Sequence, residues 1–181
     1  MKPVSLLCGV LLLSLAGCKG EPETTAVAPI VVAKPVVAPT PVVAPASPAL
    51  DVVVGYRAAW NAHNIDQAGS FLADDVTYFD ASIGTPLHGR EEATSKIIRV
   101  FLTAVPNAQW EMRGPPIATN DGVAFEWTFS GTNTGAWSAN LPATTQQVRF
   151  SGVTFIRVEG GKIRSIGTYY DSSILNRQMG W

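Results

Sequence analysis

The sequence predicts an α+β domain, a curved antiparallel sheet with N-terminal helices on one face and a pocket between the layers. Three observations predict it. Apolar residues recur at helical spacing between about residues 48 and 104. After Pro106 the pattern changes to runs rich in Val, Ile, Thr and aromatics. Asn120-Asp121-Gly122 and Glu159-Gly160-Gly161-Lys162 separate those runs as hairpin signals. Helices followed by a meander of strands put the helices on one side of a sheet. Residues 48–181 have the length of one ordinary domain.

The first helix is expected from Pro48 to Ala62, with Val52, Tyr56, Ala59, Trp60 and His63 on one stripe. Asn64-Ile65-Asp66 interrupts it, and a short helix continues to Leu72. Asp74-Asp75 leads into a strand over Val76 to Asp80, and residues 84–89 form a loop. The third helix spans Arg90 to Ala104, burying Ala93, Ile97, Phe101 and Ala104. Glu91 and Glu92 in its first turn suit the helix dipole. The strands are expected over Gln109 to Arg113 with Ile117-Ala118, Val123 to Thr132, Gln147 to Val158 and Ile163 to Tyr170. A last helix begins near Ser172.

Upstream of the domain the chain reads differently. Lys2 precedes the apolar stretch Val4 to Leu15, which is too short to span a bilayer. A basic start, a short apolar run and small residues make residues 1–17 a secretory signal. The ending Leu15-Ala16-Gly17-Cys18 resembles the lipobox of bacterial lipoproteins. That resemblance implies cleavage before Cys18, lipidation of Cys18 and a membrane partner through the lipid. Several acyl chains anchor stably where one does not. Lys19 follows, where an aspartate would resemble an inner-membrane retention signal, so the expected address is the outer membrane facing the periplasm. Residues 18–47 read as the lipidated cysteine and a linker, in which Val-Ala-Pro recurs at Val27, Val37 and Val43. Proline at that density favours an extended path of roughly 90 Å for some 30 residues. The linker is read as a spacer, or as a docking motif for a partner.

Composition excludes some chemistry. Thirteen Lys+Arg against 14 Asp+Glu, with no basic run, argue against nucleic acid as a partner. The two cysteines are Cys8 and Cys18, which leaves the domain no thiol for a disulfide, a metal or a nucleophile. His63 and His88 stand apart without metal-ligand spacing, and no Gly-x-Ser-x-Gly elbow occurs. No metal and no cofactor are expected.

Ala73-Asp74-Asp75-Val76-Thr77-Tyr78-Phe79-Asp80, then Gly89-Arg90-Glu91 opening a helix, resembles the nuclear-transport-factor-2-like superfamily. Gly131-Thr132-Asn133-Thr134-Gly135, Gly160-Gly161-Lys162-Ile163 and Tyr169-Tyr170-Asp171, with Leu175 and Gln178-Met179-Gly180, resemble its SnoaL-like polyketide cyclase branch. The resemblance implies a cone-shaped fold with a deep apolar pocket, a small hydrophobic ligand, and pairing of two copies through the open sheet face. It also implies cofactor-free proton transfer next to a carbonyl by a single aspartate, for which Asp171 matches in motif context. Tyr169 shares the strand parity of Asp171, so both could face the cavity. Two roles stay open for Asp171, general base and N-cap of the last helix.

Asp80 matches the general base of the ketosteroid isomerase branch, and Tyr56, 24 residues earlier, its oxyanion-binding tyrosine. Core packing for Tyr56 and a turn cap for Asp80 are the alternatives. The acid that branch carries on its third strand has no counterpart in Gly152-Val153-Thr154. Asn133 stands where the cyclase pattern has histidine; it cannot carry a proton at neutral pH, which leaves substrate orientation or turn formation. Trp60, Tyr78 and Trp127 complete the expected ligand contacts, Trp127 foremost because Phe125, Trp127 and Phe129 share one strand face. The expected activity is a cofactor-independent cyclase, isomerase or lyase on a hydrophobic carbonyl compound; a non-catalytic ligand-binding lipoprotein or a dimerising assembly module is the alternative.

Overall fold

The computed structural model describes residues 47–181. The signal segment, Cys18 and nearly all of the linker lie outside the described residues. Ser47, assigned to the linker from sequence, belongs to the folded unit. Its side chain accepts from Leu50 N at 3.2 Å as N-cap of the first helix, and its hydroxyl donates to the Thr119 carbonyl.

Helix α1 (Pro48–Asn61) buries Val53, Tyr56, Ala59 and Trp60, one residue off the expected stripe at its start. His63 lies outside the stripe in a left-handed conformation, with Nε2 2.9 Å from the Ala108 carbonyl. Helix α2 (Ile65–Ser70) is capped by Asn64, and strand β1 (Leu72–Asp80) starts earlier than expected. After the two-residue strand β2 (Leu87–His88), helix α3 (Arg90–Ala93) runs through a π turn, Thr94–Ile98, into α4 (Arg99–Ala104). The wider turn brings both Ile97 and Ile98 into the core.

Strands β3 (Gln109–Ala118), β4 (Gly122–Thr132), β5 (Gln147–Glu159) and β6 (Lys162–Tyr170) form the predicted antiparallel meander. β3 is continuous, with its register shifting between Arg113 and Ile117, where Pro115 and Pro116 cannot donate to the ladder. β1 joins the far side of the meander, parallel to β6, giving the order β2-β1-β6-β5-β4-β3 in one unclosed, curved sheet. This placement sets Asp80 beside Thr168. Helix α5 (Ser172–Met179) closes the chain against β5. Gly180 follows it at φ 80°, the left-handed C-cap position that favours glycine.

The core lies between the helices and the concave face of the sheet. It is unusually aromatic: Tyr56, Trp60, Trp110, Phe125, Trp127, Phe129 and Phe150 are all buried, and most contact one another edge-on. Such pairs add about 0.5–1.5 kcal/mol each beyond their buried area.

Candidate functional site

One cavity opens within this aromatic core. It is lined by Trp60, Tyr78, Asp80, Ile97, Phe101, Trp110, Trp127, Phe129, Phe150, Thr168 and Tyr170, with about 30 Å³ of free volume. That is room for a water or a compact group of atoms. Drug-sized ligands need roughly 300 Å³ or more. The sheet register builds the wall. Trp127 pairs with Gly152, and Gly152 with Tyr170. A Cβ on Gly152 would overlap the Trp127 ring, so this glycine lets the indole lie across the strand. In the neighbouring row Thr154 pairs with Thr168, and Thr168 with Asp80. Trp127 Nε1 donates to Thr154 Oγ1 at 2.8 Å, and Thr154 Oγ1 lies 3.1 Å from Thr168 Oγ1.

Asp80 is the single carboxylate of the cavity and is only 3% exposed. Its two oxygens have different duties. Oδ1 accepts from Ser82 N at 2.8 Å, Ser82 Oγ at 2.6 Å and Tyr170 Oη at 2.8 Å. Oδ2 accepts nothing from the described residues. Burial pushes the Asp80 carboxyl above its usual range, and the bonds from Ser82 and Tyr170 pull it part of the way back. Burial also raises the Tyr170 phenol, and the Asp80 charge raises it further. The turn-cap role and the cavity role thus coexist in Asp80, one on each oxygen.

The second carboxylate does not share this site. Asp171 is exposed at the N-cap of α5, where it accepts from Ser173 N at 2.9 Å. The bonds from Ser173 hold its carboxyl below the ordinary range. The pairing of strands decides this. Thr168 and Tyr170 point inward, which turns Tyr169 and Asp171 outward. Tyr169 is 47% exposed, stacked beside Phe79 and Phe155 on the outer face of the sheet. The inward residue of the Tyr-Tyr-Asp ending is Tyr170, not Tyr169. Counting in twos from the apolar Ile166 gives this parity.

Asn133 is corrected as well. It is fully buried, donates to Ala104 O at 2.8 Å and Gly135 O at 2.7 Å, and accepts from Thr144 N and Oγ1. With both amide hydrogens and the carbonyl oxygen so engaged, it pins residues 133–146 to the end of α4 and does not line the cavity. Tyr56 is completely buried but stands one layer behind the wall. Its hydroxyl neighbours the Tyr78 hydroxyl and the Trp60 indole N–H without reaching hydrogen-bond geometry. Trp60, Tyr78 and Trp127 line the cavity directly, joined by Phe101, Trp110, Phe129 and Phe150. No cluster of three or more His, Cys, Asp or Glu among the described residues could hold a metal ion.

Residues 50–179 match the SnoaL-like polyketide cyclase family. The chain belongs to that family. SnoaL-like folds recur among solved structures similar to it. A candidate SnoaL-like polyketide cyclase from Jannaschia sp. CCS1 superposes with a TM-score of 0.64 at 14% identity, covering 73% of this chain and 91% of that one. A candidate polyketide cyclase from Xanthomonas campestris gives 0.61 at 23% identity, covering 73% and 96%. A protein of ketosteroid isomerase-like fold from Catenulispora acidiphila, in complex with trimethylamine, gives 0.59 at 25% identity, covering 75% and 95%. No curated protein matches the chain. Within this SnoaL-like domain the fold is the expected nuclear-transport-factor-2-like one, with the sheet left open.

Proposed function

We propose that this SnoaL-like domain holds a small hydrophobic carbonyl compound and moves a proton on it without a cofactor, with Asp80 as general base. One observation carries the reading: Asp80 is a buried carboxylate with Oδ1 saturated and Oδ2 free, set in the wall of an aromatic cavity. Oδ2 takes a proton from the carbon next to the carbonyl. The C–H electron pair becomes the enolate, whose charge rests on the carbonyl oxygen. Returning the proton to a different carbon is isomerisation; attack of the carbanion on a second carbonyl is cyclisation. The upward push on the carboxyl is in the direction that strengthens it as a proton acceptor.

The test is exchange of the α-hydrogens of 2-butanone in D2O, followed by NMR with the full chain. Asp80→Asn should slow the catalysed exchange by about 10²-fold or more. Exchange no faster than in buffer, or unaffected by Asp80→Asn, would reject the assignment.

The lining also supports a second reading, a binding module without turnover. Eight rings and one carboxylate, with no basic side chain among them, suit a small ammonium ion. The similar Catenulispora protein is in complex with trimethylamine. Binding of trimethylammonium chloride together with no ketone exchange would decide for this reading.

The domain's setting is part of the proposal. Leu15-Ala16-Gly17-Cys18 supports a lipid anchor on Cys18, and the proline-rich linker a spacer from the outer membrane. The outer sheet face supports a homodimer: Phe155 is 53% exposed, Tyr169 47% and Ile117 76%, and they line one shallow groove with Phe79.

A further inference from the structure

The cavity as it stands is too small for a compound of several heavy atoms. Its free volume is about 30 Å³, and the residues lining it are buried except for the half-buried Tyr170. A larger ligand therefore needs a wall that moves. Tyr170 is tied to Asp80 at 2.8 Å. Phe101 on α4 has no polar atom to tie. On its cavity side stand Trp60, at 6.4 Å between ring centroids, and Phe129, at 5.6 Å. On its far side Trp137 meets it edge-on at 5.1 Å. The C-terminal Trp181, 42% exposed, lies edge-on to Trp137 at 6.3 Å. These rings form one line from solvent to the cavity.

Trp137 sits on a loop with a firm base and a lightly held tip. At the base Asn133 N donates to Gln146 O at 2.9 Å, Thr145 N to Asn133 O at 2.8 Å and Gly135 N to Ala104 O at 3.1 Å. Gly135 lies so close to α4 that a Cβ there would overlap the Thr103 carbonyl. Thr145 is held at φ 61°, a left-handed conformation that β-branched residues rarely adopt. Residues 136–143 have no such fastening. Among the described residues their hydrogen bonds run only within the stretch, from Trp137 N and Ser138 N to Leu141 O and from Leu141 N to Ser138 O. The indole N–H of Trp137 is buried without an acceptor. Such a donor destabilises the arrangement that hides it, and lifting the ring would give it water.

We infer that residues 136–143 are a lid over the cavity, with Trp137 as its bolt on Phe101 and Trp181 as an outer catch. While Trp137 is in place, Phe101 has no room to turn outward. When the tip lifts, Phe101 swings into the space the indole leaves. That single motion opens a route past α4 and enlarges the cavity. The ring contacts favour the closed state and the unpartnered N–H opposes it, so the two states lie close in free energy. The base stays fixed because Asn133 and Gly135 hold it to α4. The lid serves a proton-transfer enzyme and a binding module alike, so it stands or falls independently of the role of Asp80.

Hydrogen exchange of the indole N–H groups, followed by NMR on the full chain, reads the lid without any ligand. Trp60 and Trp127 line the cavity, so their N–H groups should exchange through lid opening. They should do so faster than the backbone amides of the inner strand β5, which need wider unfolding. Trp137→Ala removes the bolt and should speed both indoles by about tenfold or more beyond any change in the β5 amides. Trp137→Phe keeps a ring on Phe101 and removes the unpartnered N–H, so it should slow them severalfold. Trp181→Ala should speed them severalfold. If Trp137→Ala speeds the β5 amides as much as the indoles, Trp137 is ordinary packing and the lid is overturned. Indole exchange that ignores Trp137→Ala puts the entrance elsewhere and overturns it too, as does Trp137→Phe speeding exchange as much as Trp137→Ala. Should Trp137→Ala fail to fold, the other two variants decide. Opposite shifts in Trp137→Phe and Trp181→Ala support the lid; indoles that are unchanged in both, or that only follow the β5 amides, overturn it.

Discussion

Two aspartates that look interchangeable as candidate bases differ because of what surrounds them. Asp80 is buried with three donors on one oxygen, and Asp171 sits in water at a helix end. Their pH behaviour should therefore be opposite. Burial raises the folded-state value of Asp80, so the native state holds its proton more tightly than the unfolded chain. Its charge then costs stability at neutral pH, and that cost disappears as pH falls through the folded value to below that of the unfolded chain. Asp80→Asn keeps an acceptor for Ser82 and Tyr170 and removes the charge. It should raise the melting temperature at pH 7, with the gain vanishing below about pH 4. A gain that persists unchanged in acid would contradict the burial argument. Asp171 has a depressed value, so its contribution is present above the unfolded value and lost as pH falls through the folded one. Asp171→Ala should lower the melting temperature modestly through loss of the cap, while α-hydrogen exchange of 2-butanone stays at the native rate. A loss of exchange in Asp171→Ala would restore it to the catalytic site.

At the scale of elements, two small devices hold the cavity in shape. Asn133 ties residues 133–146 to α4 through Ala104, Gly135 and Thr144. Asn133→Ala strands those buried groups and should cost about 3 kcal/mol or more, read as a shift of the denaturation midpoint. Native stability in that variant would mean the loop is held by something else. Gly152 on β5 leaves space for the Trp127 indole on β4. Gly152→Ala should cost about 1–3 kcal/mol by overpacking and shift tryptophan fluorescence. Both devices act between elements distant in sequence, and the motif that contains Asn133 turns out to hold a loop rather than line the cavity.

For the whole molecule the questions are attachment and pairing. If Phe155 and Tyr169 lie in a dimer interface, Phe155→Glu should turn a dimer into a folded monomer by sedimentation. A native chain that is monomeric at high concentration would remove that reading. If Cys18 carries the lipid, Cys18→Ala should release the protein from the membrane fraction, and unchanged detergent partitioning would remove that reading. A chain beginning at Ser47 should melt like one that retains the linker, because Ser47 caps α1 and bonds to the Thr119 carbonyl. Beginning at Pro48 removes both contacts and should lower the melting temperature.

Local rules were enough for much of this protein. Apolar spacing in twos and in threes and fours, the hairpin turns and the placement of proline determined the helices, the meander and the α+β class. They did so because those signals act within a few residues of chain. The motifs read with them pointed to the family. Trp60, Tyr78, Asp80 and Trp127 line the cavity, since each lies on a face that its own element's periodicity fixes. The parallel pairing of β1 with β6 was not legible, because it joins residues about 90 positions apart. That pairing set Asp80 against Thr168 and Tyr170. Strand parity at the end of β6 likewise decided that Tyr170 faces the cavity while Tyr169 and Asp171 do not. Asn133 read as a ligand contact only until the carbonyls of Ala104 and Gly135 closed on it. Burial and partner choice are properties of packed surfaces, so the tertiary structure alone decided which carboxylate lies in the cavity.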